Sequence, residues 1–299
     1  MKFDNDEHSC HFDISNSTAY RKWRELKLSY YPASEQDLVV SVDNFNVLSE
    51  LETEQIHRCL EKYNMVVYSL NEPRQITTFE LCQFANQFGL VNIDGNLCSG
   101  EQNVSTLTVK DTGRDKMYIP YTNKQISWHT DGYYNSLDKS VRSFVLHCVC
   151  GANSGGENNL IDPEVLYILL RDENPDFILA LMQNDVLTIP ENIEDGVKIR
   201  EQQTGPVFSI DNLSNKLHLR YTARTRSIEW KKSEIVQQAV SMIQNILLTK
   251  TEYCFKYKLK AGQGLLCNNV LHNRIAFEDD ANSKRELLRA RYYDRIALN

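Results

Sequence analysis

Two side chains able to hold a divalent metal stand two positions apart in the string SWHTDGYYN: His129 and Asp131. In an extended segment residues i and i+2 project to one face, so this imidazole and this carboxylate point into the same space. A facial set of three needs one more donor from a distant segment. His272 in NNVLHNR, just after the strand-like GLLCNN, can supply it. Two neutral imidazoles and one carboxylate leave three coordination positions open, as in non-haem Fe(II) oxygenases, where a 2-oxo acid chelates through two of them and O2 takes the third. The same donors also suit a zinc hydrolase or a non-enzymatic metal-binding module, and on the ligands alone both readings stay open. The remaining histidines lack this context. His57, His147 and His218 have no carboxylate at matching spacing, and His8 and His11 fall in residues 1–16, an N-terminal stretch expected to be mobile.

Downstream of His272, Arg285 opens the segment RELLRARYYD. As a strand, that segment puts Arg285, Leu287, Arg289 and Arg291 on one face. Guanidinium groups are too costly to bury unpaired, so an inward face predicts a bound anion. This favours the oxygenase, because neither a hydrolase nor a bare metal module gives Arg285 a job. A second basic strand, LRYTARTRS, carries Arg220, Arg224 and Arg226, either as a wall for an anionic substrate or as surface charges. Tyr121, Tyr133 and Tyr134 lie near the ligands in sequence, to line the opposite wall or to pack at the rim.

Helical spacing of apolar residues predicts helices over residues 17–28, 46–63 and 77–89, with the short apolar strand MVVYSL after the second. From about residue 105 the pattern changes to short strands: STLTV, SFVLHCV, PVFSI, KLHLRYT and EYCFKYKL. Two helical stretches interrupt them, PEVLYILLRD and KKSEIVQQAVSMIQNILLTK. The pattern implies a mixed α/β chain built on a double-sheet jelly roll with covering helices. Without repeats or long linkers, residues 1–299 read as one domain.

Composition narrows the partners. A net charge of -7 opposes binding to a polyanion, so nucleic acid is not expected. No run of residues is long and apolar enough for a membrane span, and the N-terminus has neither a basic nor an apolar targeting region, so a cytoplasmic location is expected. The eight cysteines form no CxxC pair and read as reduced thiols. The expected partner is a small molecule, and a homo-oligomer is compatible with the composition.

Taken in order, HTD with its aromatic turn, VLHC, GGEN-LID, LKAGQ, NN-LHNR-F and the closing arginine strand resemble the taurine dioxygenase superfamily of Fe(II)/2-oxoglutarate oxygenases. The string YTNKQISWHTDGYYNSLDKSVRSFVLHC is most similar to the gamma-butyrobetaine hydroxylase branch. The resemblance covers roughly residues 60–295 and implies a double-stranded β-helix core. It also implies that His129, Asp131 and His272 ligate Fe(II), that Arg285 holds the distal carboxylate of 2-oxoglutarate, and that Asn158 assists with this cosubstrate. Arg289 would grip an anionic substrate group, and Tyr121 matches a tyrosine of the trimethylammonium cage. The activity implied is hydroxylation of a small charged metabolite, consuming O2 and releasing succinate and CO2. Two departures bear on the substrate: Gly132 stands where the butyrobetaine enzymes place an aromatic cage residue, and Thr222 and Ala223 where they place asparagines. An anionic or zwitterionic substrate is therefore the expectation and a betaine the runner-up, with Arg224, Tyr133 and Tyr134 as further substrate-side residues.

Overall fold

Two sheets face one another across a barrel. The larger has strand order Val39–Val42, Met65–Leu70, Gln263–Cys267, Ser143–Cys150, Glu286–Tyr292, Ser105–Leu107. The smaller runs Cys254–Tyr257, Asn158–Ile161, Leu271–Arg274, Ile126–His129. Pairing within these sheets is antiparallel except between Val39–Val42 and Met65–Leu70. This is a double-stranded β-helix. The computed structural model describes residues 11–95, 100–113, 116, 118–211, 214–280 and 283–297.

Alternation along the strands sorts side chains into separate layers. Phe144, Leu146, Leu265, Cys267 and Leu287 of the larger sheet meet Leu160 and Phe255 of the smaller in the barrel interior. The opposite face of the larger sheet, with Val66, Tyr68, Val145, Leu266, Leu288 and Ala290, packs on the helices Glu50–Tyr63 and Thr78–Asn86. Both helices start at the hydroxyl of a reciprocal capping box, Ser49 with Glu52 and Thr77 with Glu80, which satisfies first-turn N–H groups. A third layer joins the helices Pro163–Glu173, Pro175–Leu181 and Glu234–Thr249 to short strands between residues 187 and 219. The last of these helices buries one apolar face, with Val236, Ala239, Val240, Ile243 and Ile246 in the core.

The expected mobile terminus is corrected for residues 11–16. Phe12 is buried, the His11 ring stacks on Trp23 with centroids 4.4 Å apart, and Arg171 donates to the carbonyls of His11, Asp13 and Ile14. A buried guanidinium needs acceptors, and this stretch of backbone provides them. Residues 1–10, with His8 and Cys10, lie outside the described residues, as does Cys98. The six described cysteines are free thiols. No helix among the described residues is long and apolar enough to cross a membrane.

Candidate metal centre and its arginines

His129 ends the strand Ile126–His129 and pairs in register with His272 on Leu271–Arg274, so neighbouring strands bring together residues far apart in sequence. Their ring centroids are 4.3 Å apart. Asp131 follows in the turn at the strand's end, with one carboxylate oxygen 3.7 Å from His129 Nε2. Donor atoms of His129, Asp131 and His272 all lie within 4.8 Å of one another, the only such group of three or more among the described residues. The spacing fits one ion shared by all three.

The protonation states fit as well. Each histidine sets Nδ1 2.9 Å from the carbonyl two residues earlier, Ser127 O for His129 and Val270 O for His272. A carbonyl only accepts, so both Nδ1 atoms carry the proton and both Nε2 lone pairs face the cluster, the tautomer a metal ligand requires. Burial, then the neighbouring His129, push His272 down to about 3, so its imidazole is neutral. Burial alone would raise Asp131. The Arg289 charge, the contact with His129 and the charge of Arg291 outweigh it and hold the carboxylate well below its usual range. A neutral His272 imidazole and an ionised Asp131 carboxylate thus stand preorganised beside His129.

Asn269, which the sequence reading did not single out, fixes the position of Asp131. Its side-chain oxygen accepts from Asp131 N at 2.8 Å, and its amide nitrogen donates to the carbonyls of Asp131 at 2.9 Å and Val141 at 2.6 Å. Asn269 has a left-handed φ of 48°, which asparagine tolerates better than most residues. Gly132 has φ +68°, and a Cβ there would collide with Val141 Cγ2. A side chain beside Asp131 at this turn would have to displace Val141 and hold a left-handed backbone.

The arginine strand closes the barrel. Leu287, Arg289 and Arg291 alternate with Leu288, Ala290 and Tyr292, the latter three in the outer layer, so the arginines face inward. Arg289 reaches both oxygens of Asp131 at 3.3 Å, long for a charge-assisted contact, and its buried Nε has no partner. Arg291 is committed elsewhere, to Asp94 at 2.5 Å and the Tyr134 hydroxyl at 2.9 Å. Arg285 is buried with its guanidinium 4.9 Å from the Phe277 ring centroid, and among the described residues no carboxylate pairs with it. Asn158 is buried on the same strand face as Leu160, so it too faces the interior.

The second basic strand divides. Arg220 is buried and donates to four main-chain carbonyls, those of Tyr133, Leu187, Gly205 and Gln203, so it ties loops together instead of lining a substrate wall. Arg224 is exposed and donates to the Tyr133 hydroxyl at 3.1 Å, while Arg226 is exposed. Tyr133 stands edge-on to His129 with centroids 6.5 Å apart, and Tyr134 packs against Tyr133 at 5.1 Å. Tyr121 is buried in the barrel core. Arg274, next to the motif histidine but not singled out from sequence, donates to the carbonyls of Pro120, Thr122 and Lys124 and thereby holds the loop around Tyr121.

The model of the taurine catabolism dioxygenase TauD, TfdA family matches residues 27–291. The chain belongs to this family. Among curated relatives of this family member, the uridine-5′-phosphate dioxygenase of Amycolatopsis sp. is 29% identical over 170 residues, covering 55% of this chain and 60% of that protein. The trimethyllysine dioxygenase of Meyerozyma guilliermondii is 28% identical over 166 residues, 52% of this chain and 40% of that one. The matched segments thus span about half the length of these relatives. A crystal structure of AAD-2 with Mn(II) and N-oxalylglycine superposes with a TM-score of 0.63 at 14% identity, covering 89% of this chain and 98% of that one, which supports the shared fold.

Proposed function

We propose that the chain is an Fe(II)- and 2-oxoglutarate-dependent dioxygenase that hydroxylates a small anionic or zwitterionic metabolite. One observation carries this reading: a preorganised His129, Asp131 and His272 cluster shares its barrel with a buried, carboxylate-free guanidinium at Arg285. Bound by those three residues, Fe(II) would supply the redox chemistry that couples O2 and 2-oxoglutarate to substrate hydroxylation, with release of succinate and CO2. The chain's own residues bind and orient. Arg285 takes the distal carboxylate of 2-oxoglutarate as a fork, with Phe277 against its guanidinium. The interior amide of Asn158 has no protein hydrogen-bond partner among the described residues and is free to meet the same cosubstrate. Arg289, loosely held on Asp131, is available to a substrate anion. Tyr133 and Tyr134 form the wall beside His129.

The relatives support a charged small metabolite without agreeing on its sign, being named for a nucleotide and for a trimethylated amine. N-oxalylglycine, held by the AAD-2 structure, has the shape of 2-oxoglutarate with one methylene replaced by NH. Against a betaine substrate stand the turn at Gly132, where a cage side chain would have to displace Val141, and the burial of Tyr121 in core packing. A zinc hydrolase would need a separate general base, and Asp131 is the only carboxylate of the cluster. The test is succinate release with Fe(II), O2 and 2-oxoglutarate across phosphates, sulfonates, carboxylates, amino acids and betaines. Anionic compounds, or zwitterions other than betaines, are expected to stimulate it, and stimulation by betaines, cationic or neutral compounds alone would overturn the substrate assignment.

A further inference from the structure

A hairpin that the sequence reading did not identify, Asn192–Glu194 paired with Val197–Arg200, contributes Arg200 to the same tyrosine wall. The hairpin is anchored where the Tyr118 hydroxyl and the Asn192 amide both donate to one Glu194 oxygen at 2.9 Å. Arg200 lies with its guanidinium 5.5 Å from the Tyr134 ring centroid and gives one hydrogen bond, from Nη2 to Pro190 O at 2.7 Å. Its Nε is buried and has no partner. Across the wall, the Arg224 guanidinium donates to the Tyr133 hydroxyl. Among the described residues neither arginine has a carboxylate within salt-bridge distance, although the chain carries more acidic than basic side chains, 40 against 33. Burial depresses the Arg200 guanidinium; Tyr133 and Tyr134 oppose it, and the like charge of Arg224 adds a smaller downward push.

We infer that Arg200 and Arg224 form an outer anion clamp for the phosphate of a phosphomonoester substrate, whose body packs along Tyr133 and Tyr134 toward His129. This rests on the oxygenase reading and adds to it a second, remote anion site, distinct from the inner pair Arg285 and Arg289. Two unpaired guanidinium groups and a tyrosine hydroxyl match the charge of about −2 and the three acceptor oxygens of a phosphomonoester. A lone carboxylate would leave one cation without a partner. The tyrosine faces offer a planar body flat contact between the clamp and the metal ligands.

The test is calorimetric titration of the full chain, loaded with Zn(II) and 2-oxoglutarate, with phenyl phosphate, inorganic phosphate and phenol. Phenyl phosphate is expected to bind saturably and more tightly than either fragment. Arg200→Gln and Arg224→Gln should each weaken it about tenfold or more, and Arg200→Lys should recover part of the loss. Arg226→Gln, which removes the same charge from the same exposed segment, should change nothing. Phenyl phosphate binding no tighter than phenol, or weakening as large in Arg226→Gln as in Arg200→Gln, would overturn the clamp. Arg224 is exposed, so its variant carries the test if Arg200→Gln folds poorly. The 2-oxoglutarate affinity, titrated separately, is expected to stay unchanged in all variants. Phosphate binding without any 2-oxoglutarate binding would sink the oxygenase reading and leave the clamp standing.

Discussion

Replacing Arg285 by methionine should separate binding from stability. The guanidinium is buried, touches the Phe277 ring and pairs with no carboxylate among the described residues. Burial lowers its proton affinity, against weaker opposing effects of Cys148 and Asp279, which is the mark of a charge held at a cost. An apolar side chain of similar length removes that cost, so the chain without cosubstrate should keep its melting temperature or gain a few degrees. With 2-oxoglutarate the sign reverses. A desolvated carboxylate deprived of its fork loses about 3–5 kcal/mol, or roughly a hundred- to a thousandfold or more in affinity. Arg285→Lys should recover little, because a point charge cannot reproduce two parallel N–H···O bonds. Thermal melts of the chain without cosubstrate, together with calorimetric titration of 2-oxoglutarate into the Mn(II)-loaded chain, read both effects. Unchanged 2-oxoglutarate affinity in Arg285→Met, or a marked fall in its melting temperature, would refute the reasoning.

Three other perturbations have defined outcomes. Asn269→Ala leaves the Asp131 N–H and two carbonyls without their partner, so it should cost about 2–4 kcal/mol of stability and weaken Zn(II) binding about 10- to 100-fold in a chelator competition, whereas an unaltered metal affinity would deny Asn269 its positioning role. Gly132→Ala combines a positive φ with a clash on Val141 and should destabilise by about 2–4 kcal/mol in urea melts; adding Val141→Ala should restore the steric part only, and full restoration would mean that the backbone conformation costs nothing. For pH, burial holds His272 at about 3 and, with the Arg74 charge, His147 at about 4, both below the ordinary 6.5, so the unfolded chain binds more protons than the folded one in between. The metal-free chain should therefore lose stability as pH falls from about 6.5 toward 4, and a flat stability profile over that range would show these imidazoles to be solvated.

The convergence of the candidate cluster was legible because short-range geometry governs it: the i, i+2 spacing of His129 and Asp131 and the strand character around His272 survive any detail of packing. Alternation likewise gave the inward face of Arg289 and Arg291. What stayed hidden depends on partners brought in by tertiary structure. Arg220 looks like Arg224 in sequence, and only the convergence of four carbonyls from three separate segments makes it a tie. Asn269 clamps a residue 138 positions away. The terminal stretch around Phe12 is polar enough to read as a tail until Arg171 caps its carbonyls. The hairpin bearing Arg200 is different, because its Asp195–Gly196 turn is a strong local signal, and the weak alternation of the flanking residues obscured it.

Metal stoichiometry and succinate release, compared between wild type and Asp131→Ala, decide whether His129, Asp131 and His272 hold the iron that drives 2-oxoglutarate turnover. About one Fe(II) per wild-type chain is expected, with succinate formed only when Fe(II), O2 and 2-oxoglutarate are all present. Zn(II) should compete for the same site and support no turnover, and Asp131→Ala should lose both tight Fe(II) binding and succinate release. Succinate formation at the wild-type rate in Asp131→Ala, or in metal-free protein, would contradict that assignment.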